Sequence, residues 1–233
     1  MRANAKGYFL KEYGAWSVLI VSYLIGVGVS HTFSWLVFPL FLALAFLINS
    51  KQAYMKWVRQ SDGGKALAVF LGQIVVSGIL FLAIFGSDII TLLPLLIFPA
   101  VYLLLNKFGG EHFILTELMG FVLISLAAVL AKFLLVRGLD VRLFVGMAFY
   151  FTAGVFKVKT LLLKKTRDRI FMVLHVLLSA LVYRRMHIPL IILLPFVDNL
   201  VVAATLYRVK LQTTGWIEVV KSLVFLILFI YCY

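Results

Sequence analysis

Cysteine is almost missing from this chain: its 233 residues hold one, Cys232. A lone cysteine closes no internal disulfide, and no CxxC metal or redox site exists. Acidic residues are scarce too, nine Asp and Glu against 22 Lys and Arg. HExxH, P-loop and GxSxG patterns are absent, so no metal or nucleophile signature stands out. No strict alternation of apolar and polar residues runs through the chain, which excludes an outer-membrane barrel. The first apolar run has no small-residue cleavage motif, so no cleavable signal is expected. No polar gap is long enough for a soluble domain, and residues 1–233 read as a single transmembrane helical domain.

What is present is apolar. Hydrophobic residues make up 64% of the chain and the mean hydropathy is +1.10. A soluble fold of this size needs a polar exterior that such a composition cannot supply. Apolar runs of roughly 17 to 25 residues match a bilayer core of about 30 Å. The expected fold is all-α, a polytopic transmembrane bundle of about nine spans. These fall near residues 15–30, 32–48, 66–85, 89–105, 113–135, 143–158, 170–183, 188–207 and 216–233. The longest polar connectors follow the second span (NSKQAYMKWVRQSDGGK) and the sixth (KVKTLLLKKTRDRI). Tyr54 and Trp57 are the aromatics expected at headgroup depth.

The net charge of +13 would suggest nucleic acid in a soluble chain. In a membrane chain it reports orientation, because cytoplasmic loops collect Lys and Arg. With the N-terminus in the cytoplasm, sixteen of the 22 cations fall on that side, among them Arg2, Lys11, Lys51, Lys157, Lys159, Lys164, Lys165, Arg208 and Lys210. The expected arrangement is therefore N-terminus cytoplasmic and C-terminus outside, with no nucleic-acid partner, and with membrane lipids as neighbours.

Six ionisable groups fall inside expected spans: Glu117, Lys132, His175, Asp198, Glu218 and Lys221. Each costs roughly 2.5 to 3.5 kcal/mol at the bilayer centre, so each is expected to face the bundle interior or a wet cavity. Glu218 and Lys221, spaced i, i+3, can neutralise each other. Lys132 is expected to snorkel outward. Asp198 and Asn199, just after Pro195, can bond a backbone freed by a kink. Asp198 is the strongest single functional candidate as a mid-membrane carboxylate. Gly26-Val27-Gly28 suggests close helix packing, and the glycine pairs at 63–64 and 109–110 read as loop hinges.

Three stretches carry a resemblance. Lys11-Glu12-Tyr13-Gly14-Ala15-Trp16, Phe156-Lys157-Val158-Lys159-Thr160 and Gly215-Trp216-Ile217-Glu218 resemble motifs of the YwiC-like family of integral membrane proteins. In the first, Tyr13 stands where the family's K-E-H-G-A-W has His. The resemblance implies a bacterial or archaeal inner-membrane protein and no established activity. The pair of polar connectors after spans two and six also looks like the UbiA prenyltransferase superfamily, which has nine helices. That family's connectors are Asp-rich, to hold Mg²⁺ against a diphosphate; here they are basic.

Three functions compete on these grounds. One is a cytoplasm-facing polar cavity for an anionic amphiphile of lipid or isoprenoid type, with a divergent UbiA-like transferase lacking the metal motifs as its enzymatic form. Its candidate contacts are Glu12, Trp16, Glu117, Lys157, Lys159, Thr160, Asp198 and Glu218, with no metal ligands. The second is a small-solute or ion transporter using Asp198 and His175. The third is an accessory or assembly protein of a membrane complex. Catalytic residues, cofactor and protein partner are not readable from the residues.

Overall fold

The computed structural model describes residues 5–8, 10, 12–59, 63–206 and 211–233. Arg2, Lys11, Arg208 and Lys210, counted above among the cytoplasmic cations, lie outside the described residues. The described chain is helical, with no strand. By its internal contacts it divides into two units, one of residues 1–15 and 33–95, the other of residues 16–32 and 96–233.

The first unit is built on a helical hairpin, α2 (Val37–Val58) and α3 (Gly63–Phe85). The Ser77 hydroxyl donates to the Ala43 carbonyl at 3.0 Å, and Phe70 stacks on Trp57 and meets Tyr54. Leu71, Val75, Ile79 and Leu82 of α3 are exposed, an apolar stripe that suits lipid. Phe33, Trp35 and Phe38 form a second exposed aromatic group before and at the start of α2. The expected connector after span two is corrected: α2 continues through Lys51, Tyr54 and Trp57 to Val58. Polarity ends the apolar run there without ending the helix, since Lys, Gln, Ala and Met are all good helix formers. Gly63 and Gly64 open α3 rather than lying in a loop.

Beyond α3 a 3-10 turn (Gly86–Asp88) leads to α4 (Ile89–Leu92) and a second 3-10 segment, Leu93–Leu96. Pro94, which has no N–H to donate, sits in that segment. The fourth expected span is therefore interrupted, and its second half is α5 (Ile97–Gly109), closed by Gly110 at φ +79°.

The second unit holds α1 (Tyr13–Gly28) from Trp16 onward, α5 from Ile97, α6 (Ile114–Val136), α7 (Val141–Leu163), α8 (Thr166–Arg185), α9 (Val197–Thr205) and α10 (Leu211–Cys232). Gly26 of α1 lies so close to the Ala128 backbone of α6 that a Cβ would have no room, and Gly28 packs likewise on Ile230 of α10. The core runs through Ile25, Ala128, Met147, Tyr150, Tyr183, Phe225 and Phe229. The eighth expected span is broken as well: residues Leu190–Phe196, containing Pro195, form a 3-10 helix before α9 begins. The sixth span is longer than expected. α7 runs five residues past Val158, so Lys157, Lys159 and Thr160 are on the helix and not in the connector.

Five stretches among the described residues are long and apolar enough to cross a membrane: Val37–Val58, Gly63–Gly109, Ile114–Val136, Val141–Leu163 and Thr213–Cys232. Tyr13–Gly28 and Phe196–Thr205 are shorter apolar helices. The protein is a multi-pass membrane protein.

Candidate functional site: a buried quartet of charges

Along α7 one face is buried: Leu143, Gly146, Met147, Tyr150, Ala153, Lys157 and Thr160 recur at three- and four-residue steps. Lys157 therefore points where the core residues point, and its side chain is 1% exposed. On α10 the same spacing sets Glu218, Lys221, Ser222, Phe225 and Phe229 on one side. On α9, Asp198 and Asn199 follow at once on the Pro195 segment.

These three helices bring together four charges. Lys157 donates to Asp198 Oδ2 and to Glu218 Oε1. Lys221 lies 3.1 Å from each of the same two oxygens and donates to Asn199 Oδ1 at 2.6 Å. Two ammonium groups and two carboxylates sum to zero. That balance makes the quartet tolerable away from water, where each isolated charge would be prohibitive. Beneath it the Tyr150 ring stacks between Phe196 and Phe225, centroids 5.4 and 3.4 Å away, and the Tyr150 hydroxyl bonds Ser222.

Exposure is not shared evenly. Side-chain exposure is 1% for Lys157 and 10% for Lys221, against 23% for Asp198 and 36% for Glu218. The cations are inside and the carboxylates face out. The second oxygen of Glu218 carries no bond among the described residues.

Other expected contacts fall elsewhere. Glu117 pairs with Lys159 at 3.0 Å, with His112 3.9 Å away on its other side. Glu12 is exposed in the first unit and bonds Lys51 at 2.8 Å. Trp16 is half-buried in the second. Thr160 is fully buried and its hydroxyl makes no hydrogen bond among the described residues, as is also true of Thr116. Within the second unit, Lys157 and Glu218 meet, whereas Glu117 pairs with Lys159 instead.

His175 takes no part in the quartet. Its Nε2 faces the Phe149 carbonyl at 2.9 Å, and its ring packs between Phe149 and Phe156. It ties α8 to α7 as a packing residue, as the Tyr183 hydroxyl does by donating to the Gly146 carbonyl. Asp198 is not a lone carboxylate: with Asn199 it serves two lysine side chains.

A second cluster surrounds Asp140, in the turn between α6 and α7. Asp140 caps α7 by accepting the Leu143 N–H at 2.9 Å; it also accepts from Lys132 at 2.5 Å and from the Tyr233 hydroxyl at 2.8 Å. Lys132 thus reaches along its helix to a carboxylate of the turn that follows, with its side chain 17% exposed. The ring of Tyr233 receives Lys132 and Arg142 over its face, 5.2 and 5.5 Å from the centroid. Burial by itself would raise the Asp140 carboxyl, but Lys132, the Leu143 N–H and Tyr233 together hold it below its ordinary value.

Sequence comparison bears on one half of the chain. A family model described as YwiC-like protein matches residues 10–132, taking in Glu12 to Trp16. No curated protein and no solved structure matches. Lys157, Asp198, Glu218 and Lys221 all lie beyond the matched residues, as do two of the three stretches that carried the resemblance.

Proposed function

The chain belongs to the YwiC-like family and is a multi-pass membrane protein, and from that premise we propose that it is a small-solute or ion transporter whose coupling element is the quartet. The observation that carries this reading is the inside-out order of the charges. An arriving anion meets Asp198 and Glu218 first and is repelled, whereas a proton or a cation is attracted. Neutralising either carboxylate takes a partner from Lys157 and Lys221 at once, because both lysines bond the same two oxygens. Since those groups sit on α7, α9 and α10, occupancy changes what holds three helices together. A ligand shifts a conformational equilibrium only through such differential contact. The interrupted segment before α9 adds to the case, because discontinuous helices commonly frame the substrate sites of transporters.

In this reading residues 1–233 act as one membrane domain of nine crossings in the cell's inner membrane, N-terminus inside. The quartet then lies toward the cytoplasmic half and the Asp140 cluster at the outer end. Asp198 and Glu218 are the ligand groups, and His175 is a packing residue. The competing amphiphile reading needs free cations at Lys157 and Lys159, and both are already engaged by carboxylates.

Proteoliposomes loaded with a pH-sensitive dye and pulsed with a panel of amines, amino acids and monovalent cations test the proposal. A substrate-driven proton or charge signal is expected that falls at least tenfold in Asp198→Asn and in Glu218→Gln and persists in Lys51→Gln. A signal that survives Asp198→Asn, or its absence across the whole panel, overturns it.

A further inference from the structure

Away from the quartet, an open groove runs between α8 and α9. Ile170, Val173 and Leu174 of α8 face Leu200, Ala203 and Ala204 of α9, around a hollow of about 460 Å³. That is within the roughly 300 to 1,000 Å³ of ordinary ligand clefts. A second hollow of about 270 Å³ shares Leu200 and continues along α8 past Val176 and Ala180, against the Leu190–Phe196 segment. Every side chain lining this continuation is apolar.

The other end of the groove is polar and cationic. Thr166 and Arg169 line it there. Arg169 is held in place by the end of α9, its Nε donating to the Ala203 carbonyl at 2.5 Å and one Nη to the Ala204 carbonyl at 3.0 Å. A guanidinium has five N–H donors, so these two bonds leave others for a ligand. Lys164, Lys165 and Arg167 stand exposed in the same short stretch, and the Asp168 carboxylate, 8% exposed, lies 3.8 Å from Arg167 and offsets one of these cations. The mouth of the groove is therefore net positive and its length is apolar.

We propose that this groove binds one acidic phospholipid, its phosphate at Arg169 and Thr166 and an acyl chain laid along α8 over Ala203 and Ala204. Charge complementarity selects the occupant. A zwitterionic lipid fills the apolar length equally well but brings its own cation to a mouth lined by Arg169 and flanked in sequence by Lys164 and Lys165. A guanidinium held by two carbonyls presents its remaining donors in a fixed direction, which suits a phosphate oxygen better than a mobile ammonium does. The groove shares α9 with the quartet but is lined by none of its four charged residues, and the transport reading stands or falls without it.

Native mass spectrometry of the full chain in mild detergent, titrated with phosphatidylglycerol or phosphatidylcholine, tests the assignment. One phosphatidylglycerol is expected to be retained in preference to phosphatidylcholine. Ala204→Phe, at an exposed position that fills the groove without touching the core, should lower that adduct at least fivefold. Lys165→Gln and Arg167→Gln, both exposed, should each lower it about fivefold by removing one cation from the surface. Equal retention of the two lipids, or a phosphatidylglycerol adduct undiminished in Ala204→Phe, overturns the proposal.

Discussion

Around Asp140 a single carboxylate collects a lysine, a backbone N–H and a tyrosine hydroxyl. In the quartet two carboxylates share two lysines, and each lysine bonds both. In the first the three donors serve one acceptor group, whereas in the second one lysine can release one oxygen and keep the other. A cap of the first kind fixes a helix start and a helix end against each other. A shared cluster of the second kind stays neutral while its bonds are exchanged, which is what a coupling element requires.

The largest effect that separates the two should come from Asp198→Ala. It leaves Lys157 and Lys221 facing one carboxylate in a dry setting, and unpairing a buried charge costs roughly 3 to 5 kcal/mol. Pairing it with Lys157→Met should recover most of the loss, because the remaining Glu218 and Lys221 are again balanced. Unfolding titrations in mixed micelles read both variants. Equal instability of the single and double variants would mean that the quartet is not one coupled unit.

Asp140→Ala ranks next, at about 2 to 3 kcal/mol, combining a lost helix cap with an unpaired Lys132. This loss should also depend on pH. The folded carboxyl is held below its ordinary value, so the unfolded chain takes up the proton more readily. The stabilisation is complete above the ordinary carboxylate range. It declines as the pH falls through that range and is gone once the pH is below the folded value. Melting of the parent and of Asp140→Asn should converge on acidification from pH 7 towards pH 3. A gap that stays constant to pH 3 would show that the ionised carboxylate contributes nothing.

How much of this could be read beforehand differs between the two clusters. Burial of Lys157 follows from the stripe of Leu143, Met147, Tyr150 and Ala153, a helical period that continues straight through the lysine. The density of cations after it made the residue look like part of a connector, because charge signals an end to an apolar run but not an end to a helix. The i, i+3 spacing of Glu218 and Lys221 was legible as a local pair. Its union with Lys157 and Asp198 was not, since helix packing sets which faces meet and no local pattern records it. Pro94 and Pro195 marked the two interrupted segments, but a proline does not say whether a helix kinks or gives way to 3-10 turns. Lys132 and Asp140 are eight residues apart across a helix end, beyond any intrahelical spacing rule, and Tyr233 joins them from the far end of the chain.

The smallest predicted effect concerns that tyrosine and asks whether its hydroxyl or its ring matters more. Tyr233→Phe removes the bond to Asp140 and keeps the aromatic face on which Lys132 and Arg142 rest. A hydrogen bond to a carboxylate is worth about 1.5 kcal/mol net, and a partly exposed cation–π contact about 0.5 to 1 kcal/mol. Tyr233→Phe should therefore cost about 1 to 1.5 kcal/mol, and Tyr233→Leu a further 1 kcal/mol or so. The order is tested by a double variant: in an Asp140→Ala background the hydroxyl has lost its acceptor, so Tyr233→Phe should become nearly neutral while Tyr233→Leu still destabilises. If both substitutions turn neutral there, the ring contributes only by way of the carboxylate, and the cluster is a single hydrogen-bonded cap with no separate aromatic support.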